Sequence, residues 1–298
     1  MSAPGLRPAI ARALTEGGLD PSEVARVARL AIEEDLAYGP DVTTEATVPA
    51  DARARGDFVA RRAGVVAGVP VAAAVLDLVG GPAVTIEPRA ADGSSVRPGQ
   101  SLLAVEGPTR VLLTAERTAL NLLCHLSGVA TLTRAWVDAV HGTGAAIRDT
   151  RKTMPGLRAL EKYAVRAGGG VNHRLGLGDA ALIKDNHVAA AGGITAALAA
   201  VRRAAPDLPT EVECDTLDQV REAIGAGATL VLLDNMDTAT LRRAVELARG
   251  APVRLEASGG LTLDRAREVA ATGVDYLAVG ALTHSAPVLD IGFDLAAG

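Results

Sequence analysis

The chain has 298 residues, 49% of them hydrophobic and only 2% aromatic, with a formal net charge of -5 and a sequence pI near 5.6. That length carries two domains and a large core of small aliphatic side chains. The acidic balance, with no aromatic residues interleaved among the basic ones, argues against nucleic acid as a partner, and two cysteines, Cys124 and Cys214, make neither a disulfide framework nor a metal-ligand spacing.

A reduced, cytoplasmic protein is therefore expected. The first residues lack the sustained apolar core of a signal peptide. The longest apolar stretch, AGVVAGVPVAAAVL, is interrupted by Gly and Pro and falls short of the roughly twenty residues a bilayer span takes, so no membrane association is expected.

Asp20-Pro21-Ser22-Glu23 combines an N-cap aspartate, proline at the first helical position and glutamate at the third, which predicts a helix from about Pro21 to Ala37. Strands are readable in ARGDFVARRAGVVAG and AVTIEPRA. The segment ADGSSVRPGQSLLAVEG is superficially like a lipoyl or biotinyl carrier hairpin, but it has no lysine to carry a prosthetic group and reads as structural. Thr109 to Val140 reads as mostly helical, with an interruption near Ser127-Gly128.

From Gly144 apolar strands alternate with amphipathic helices. Candidate strands are AAIRDT, ALIKDN, TEVECD, TLVLLDN, VRLEAS and YLAVGAL, and six such repeats indicate a parallel sheet. Arg148, Lys184, Glu213, Asp234 and Ser258 each fall at or just past the C-terminal end of a different strand. In a barrel those ends converge on one mouth, whereas an open doubly wound sheet spreads them along a line.

The stretch from Arg148 to His187 holds eight of the thirty Lys and Arg against four acidic residues, a cationic focus in an acidic protein. Arg158, Lys162 and Arg166 follow one another at four-residue spacing and read as a solvated helix face. Arg148, Arg151, Lys152, His173, Arg174 and Lys184 lie at strand ends or after a triple glycine, where chemistry is expected. Holding like charges together without anions is costly, so the ligands should be strongly negative. Arg forks suit carboxylates, and Lys serves as a point charge. Ser258-Gly259-Gly260 and Gly280 offer backbone N–H groups at the last two strand ends, where barrels commonly bind phosphate. Glu213 and Asp234 suit ribose hydroxyls or a Mg²⁺ carried in by a diphosphate, or else pair with Arg151 or Lys184. His125, His141 and His187 read as structural.

The runs DTRKTMPGLR, GGGVNHRLGLGD and IKDNH, with EEDLAYGPDVTT, ERTALNLLCHLSGVAT and DYLAVGALTHS around them, resemble the quinolinate phosphoribosyltransferases over essentially the whole chain. The resemblance implies a six-stranded α/β barrel (residues 128–285) beside an N-terminal α/β sandwich domain (residues 1–127), joined by a tail (286–298) that returns to it. It implies transfer of a phosphoribosyl group from phosphoribosyl pyrophosphate to quinolinate with loss of CO₂, giving nicotinate mononucleotide in NAD biosynthesis. Arg117, Arg151, His173, Arg174 and Lys184 would bind quinolinate, and Lys152 would sit by the pyrophosphate. Glu213 and Asp234 would sit by the ribose and Mg²⁺, and Ser258, Gly260 and Gly280 by the 5-phosphate. The same resemblance implies a homodimer with shared sites, open to higher assembly, in which Arg117 completes the partner's site. Lys152, Lys184, Glu213 and Asp234 are the residues expected to act in the chemistry.

Three rivals stand beside that expectation. One is the phosphoribosyltransferase-like protein of molybdate transport, which shares the fold. Another is a barrel aldolase using Lys184 as a Schiff base. The third is a non-catalytic ligand sensor, for which no output domain is visible.

Overall fold

The computed structural model describes residues 5–297 and divides them into two compact units. The first holds the described residues up to Leu132, Met154–Gly169 and those from Ser285 on; the second holds Thr133–Thr153 and Gly170–His284.

In the first unit, α1 (Pro8–Glu16), α2 (Pro21–Asp35), α3 (Val42–Thr47) and α4 (Val69–Gly80) accompany β1 (Arg53–Ala60), β2 (Gly64–Val65), β3 (Thr85–Pro88), β4 (Ser95–Val96) and β5 (Ser101–Pro108). The start of α2 is built as its sequence predicts: Asp20 accepts the Ser22 N–H at 2.8 Å and Pro21 opens the helix. The tail forms β12 (Ile291–Ala297), which pairs antiparallel with β1 in the sheet order β12-β1-β5-β3. Phe58 opposes Phe293 in that register, ring centroids 4.9 Å apart. The sheet packs with α4, eight of whose twelve residues are buried, to make the α/β sandwich.

Two expectations are corrected here. The helix α5 runs unbroken from Thr109 to Val140. Ser127 turns its hydroxyl to the backbone of Ala67, and Gly128 is glycine because a Cβ would stand 2.1 Å from the Pro287 carbonyl oxygen. Close approach, and not a helix break, explains the pair. The second concerns α6 (Arg158–Ala167), which the expected boundary placed in the barrel and whose basic residues read as a solvated face. It belongs to the first unit, where Tyr163 donates to Asp92 and His125 meets Glu161 at 2.8 Å. Leu160 through Val165 are all buried, Lys162 fully, and only Arg166 of the basic series is exposed.

The second unit alternates strand and helix: β6 (Ala146–Arg148), β7 (Ala181–Ile183), α7 (Asp185–Ala191), α8 (Ile194–Ala204), β8 (Thr210–Cys214), α9 (Leu217–Gly225), β9 (Leu230–Asp234), α10 (Thr238–Ala248), β10 (Arg254–Ser258), α11 (Ala266–Ala270), β11 (Tyr276–Ala278) and α12 (Ala281–His284). All six expected strands are present, parallel, in the order β6-β11-β10-β9-β8-β7. The hydrogen-bonded ladder is open between β6 and β7, and beyond β6 only a bridge from Arg148 to Val171 continues it. Yet residues following β6 and β7 line the same cavity as those of the four middle strands. The sheet therefore curls into a barrel.

Period two sorts each strand. Val212, Cys214, Val231, Leu233, Leu255, Ala257 and Leu277 are buried on one face, and Glu211, Glu213, Leu232, Asp234, Glu256 and Ser258 point to the other. The second set faces the lumen.

Candidate active site

The barrel mouth opens on a cavity of about 760 Å³ lined by residues from every strand end. Ten of the eleven sequence-predicted site residues line it together: Arg151, Lys152, His173, Arg174, Lys184, Glu213, Asp234, Ser258, Gly260 and Gly280. Arg117 does not; it lies on α5 in the first unit with its side chain 66% exposed.

Local structure fixes the cationic side. Asp149, fully buried after β6, accepts the His173 N–H at 2.8 Å and the Asn172 side-chain amide at 2.5 Å. That clamps the segment after the triple glycine beside the strand end and aims Arg174 at the cavity. Arg174 Nη1 donates to the Ala180 carbonyl at 3.1 Å, and burial, then the nearby Arg151 charge, hold its guanidinium below the ordinary arginine value. The Nε atoms of Arg151 and Arg174 are buried and find no acceptor among the described residues. Unmet cationic donors in a cavity call for an anion.

Lys184 ends β7, and its Nζ stands 3.1 Å from Glu213 Oε2. The ion pair weighed as an alternative for Glu213 is thus present. Lys184 is half exposed and paired, without the desolvation that activates a Schiff-base lysine. His187 is structural: its Nδ1 accepts the Lys184 N–H at 3.0 Å at the start of α7. Asp234 accepts from the Asn235 amide at 2.6 Å, and Asn235 takes a left-handed φ of 51°. A Cβ on Gly259 would stand 2.2 Å from the Asn235 Oδ1, so this turn requires glycine. Gly280 is glycine because a Cβ would lie 2.8 Å from Lys152 Cδ. The Lys152 stem passes close over this glycine, and the Lys152 backbone carbonyl accepts from Thr283 Oγ1 at 2.7 Å.

Beneath the mouth lies an ionic floor whose two carboxylates the sequence reading did not select. Arg148 Nη1 donates to Glu256 Oε2 at 2.6 Å. His173 Nε2 stands 2.7 Å from Glu211 Oε2 and 3.7 Å from Glu256 Oε1, and its Nδ1 accepts the Arg174 N–H at 2.7 Å. Burial, then the Glu211 charge, push the Glu256 carboxyl up to about 7. Barrel interiors are ordinarily filled by branched aliphatic side chains. A signal was available: Glu211 and Glu256 each precede an inward site residue by two positions. His284, Asn235 and Thr150 also line the cavity and went unselected.

Two groups of side chains have metal-ligating chemistry. His173, Glu211 and Glu256 bring three ligand atoms within 4.8 Å of one another, but Arg148 already supplies a cation to Glu256. Glu213 and Asp234, on neighbouring strands, turn two carboxylates into the cavity. Two carboxylates fit Mg²⁺, which is held by one or two such groups together with substrate phosphates.

Among known proteins, the models of the quinolinate phosphoribosyl transferase N-terminal and C-terminal domains match residues 41–127 and 129–294. The chain is 59% identical over 270 residues to the nicotinate-nucleotide pyrophosphorylase [carboxylating] of Mycobacterium leprae, covering 90% of this chain and 95% of that one. It is 42% identical to the probable enzyme of the same name from Bacillus subtilis, covering 88% and 90%. The solved nicotinate-nucleotide pyrophosphorylase of Francisella tularensis superposes with a TM-score of 0.87 at 35% identity, covering 92% of this chain and 96% of that one.

Proposed function

The chain belongs to the quinolinate phosphoribosyl transferase family, and from that premise we propose that it joins quinolinate to the ribose of phosphoribosyl pyrophosphate, releasing pyrophosphate and CO₂ and yielding nicotinate mononucleotide. It is a pentosyltransferase of NAD biosynthesis. One observation carries the reading: buried arginine Nε donors without acceptors and a glycine-rich rim share one cavity. A dicarboxylate and a phosphorylated sugar together satisfy both.

In this reading Arg151, His173, Arg174 and Lys184 hold quinolinate, the arginine forks taking its carboxylates. Ser258, Gly260 and Gly280 receive the 5-phosphate. Lys152 meets the pyrophosphate, and its ammonium offsets the charge that develops there as the bond to C1 of the ribose breaks. Glu213 and Asp234 orient the ribose and would hold Mg²⁺, which when bound neutralises the diphosphate. The pyridine nitrogen then attacks C1 from the opposite face, and no protein nucleophile is needed. The resulting ring cation accepts the electrons left by the departing 2-carboxylate.

Arg117 fits this scheme through a two-fold dimer, its exposed side chain completing the partner's cavity. Among the described residues no helix is long and apolar enough to cross a membrane, and a cytoplasmic, small-molecule enzyme is the setting proposed.

Quinolinate labelled in its 2-carboxyl group tests the reading. One labelled CO₂ should appear per pyrophosphate released. Pyrophosphate without CO₂ would exclude decarboxylating transfer.

A further inference from the structure

The reaction ends with a step for which the cavity mouth names no donor. When CO₂ leaves, the electron pair of the broken carbon–carbon bond stays on ring C2, which must gain a proton. Lys152 and Lys184 are each committed to an anion, the pyrophosphate in one case and Glu213 at 3.1 Å in the other.

Glu256 is different. It sits on β10, one inward position below Ser258, and lines the cavity while being fully buried. Its Oε2 accepts from Arg148, but its Oε1 has no hydrogen-bond partner among the described residues. The groups facing it are Arg148 of β6, His173 of the loop after the triple glycine, and Glu211 of β8, with the Tyr276 ring of β11 stacked on Arg148. β9 contributes only Leu232 at this level. Two carboxylates are thus buried beside one another, Glu256 on Arg148 and Glu211 within reach of the Arg174 charge. The histidine between them receives the Arg174 N–H on Nδ1 and turns Nε2 toward Glu211. Burial and the neighbouring Glu211 carboxylate both favour a proton on Glu256.

We propose that Glu256, resting on the proposed function, is the acid that delivers the proton to C2 after CO₂ departs. The Oε1–H bond breaks, and its proton goes to the electron pair on C2. Glu256 is left as a carboxylate beside Arg148, which compensates the new charge from 2.6 Å. Once product leaves, Glu256 takes a proton from water, so the cycle consumes one proton per turnover. A carboxyl raised toward neutrality by burial suits this task at physiological pH.

The test is Glu256→Gln, which keeps the shape and a donor but has no acid proton. Single-turnover measurements should show quinolinate dissociation within about threefold of wild type, and pyrophosphate release within about tenfold. Mononucleotide formation should fall by about 100-fold or more, the usual worth of a positioned acid. It should lag behind pyrophosphate release, and labelled CO₂ added to the solution should return into the enzyme-bound quinolinate mononucleotide, recovered on quenching. Mononucleotide formed at the wild-type rate with an unchanged pH profile would overturn the proposal. If the variant does not fold, the wild type decides: CO₂ release at saturating substrates should fall between about pH 6 and about pH 9 as a carboxyl of raised value loses its proton, and a flat profile would overturn it. A wild type that makes no mononucleotide from quinolinate would instead defeat the proposed function.

Discussion

The ammonium of Lys184 stands 3.1 Å from the carboxylate of Glu213, joining two side chains that the proposed function assigns to different substrates. Lys184 is placed with the dicarboxylate and Glu213 with the sugar diphosphate. The pair brings the two subsites into contact across neighbouring strands β7 and β8.

Asp234 and Glu213 should therefore respond differently to truncation. Asp234→Ala, which unpairs no cation, should raise KM for phosphoribosyl pyrophosphate or lower kcat while quinolinate dissociation stays within about threefold. Glu213→Ala should do the same and also alter quinolinate affinity, because it frees Lys184. Calorimetric titration of quinolinate into both variants checks this; a large loss of affinity in Asp234→Ala would move that residue into the other subsite.

Gly128→Ala should be among the most damaging small changes in the first unit. Its Cβ would meet a backbone carbonyl oxygen at 2.1 Å, and no rotamer relieves that contact. A loss of about 2–3 kcal/mol is expected from overpacking of this kind, read by denaturant unfolding. Stability equal to wild type would show that the tail carrying Pro287 moves freely.

Glu256 sets a pH dependence of stability as well as of rate. Its folded value lies above the ordinary carboxyl value of 4.5, so the folded state holds its proton more tightly than the unfolded chain. That contribution is complete below about pH 4.5 and is lost as pH rises through about 7. The difference in unfolding free energy between wild type and Glu256→Gln should shift in favour of the glutamine variant across that window. A difference independent of pH would mean that Glu256 is ionised throughout.

Arg117→Ala and Lys184→Ala, each nearly inactive alone, should complement one another when mixed. In a mixed dimer with shared sites, one site collects both lesions and the other neither. Random re-pairing makes about half the dimers mixed, so roughly one quarter of all sites should be intact. A mixture that stays as inactive as its parents after verified subunit exchange would return Arg117 to its own subunit or to no site.

Much of the barrel was legible because strand ends carry polar residues that an aliphatic lumen does not need. Arg151, Lys184, Glu213, Asp234 and Ser258 betrayed themselves this way, and all line one cavity. Glu211 and Glu256 did not, because a charge inside a strand reads as a solvated face until the sheet is known to close. Lys162 misled for a related reason: basic residues at four-residue spacing mark one helix face, but α6 is buried over Leu160 to Val165. Ser127-Gly128 read as a break because propensity is local, while the need for glycine there comes from Pro287, 159 residues further along the chain. The ionic floor and the close approach are both long-range facts.

The central claim is that the cavity takes a pyridine dicarboxylate together with a ribose diphosphate. The most direct measurement incubates the protein with Mg²⁺, phosphoribosyl pyrophosphate and either quinolinate or nicotinate, and follows mononucleotide, pyrophosphate and CO₂. Nicotinate mononucleotide with CO₂ in equal amount from quinolinate, and no turnover of nicotinate, is the predicted result; product from nicotinate but not from quinolinate would contradict it.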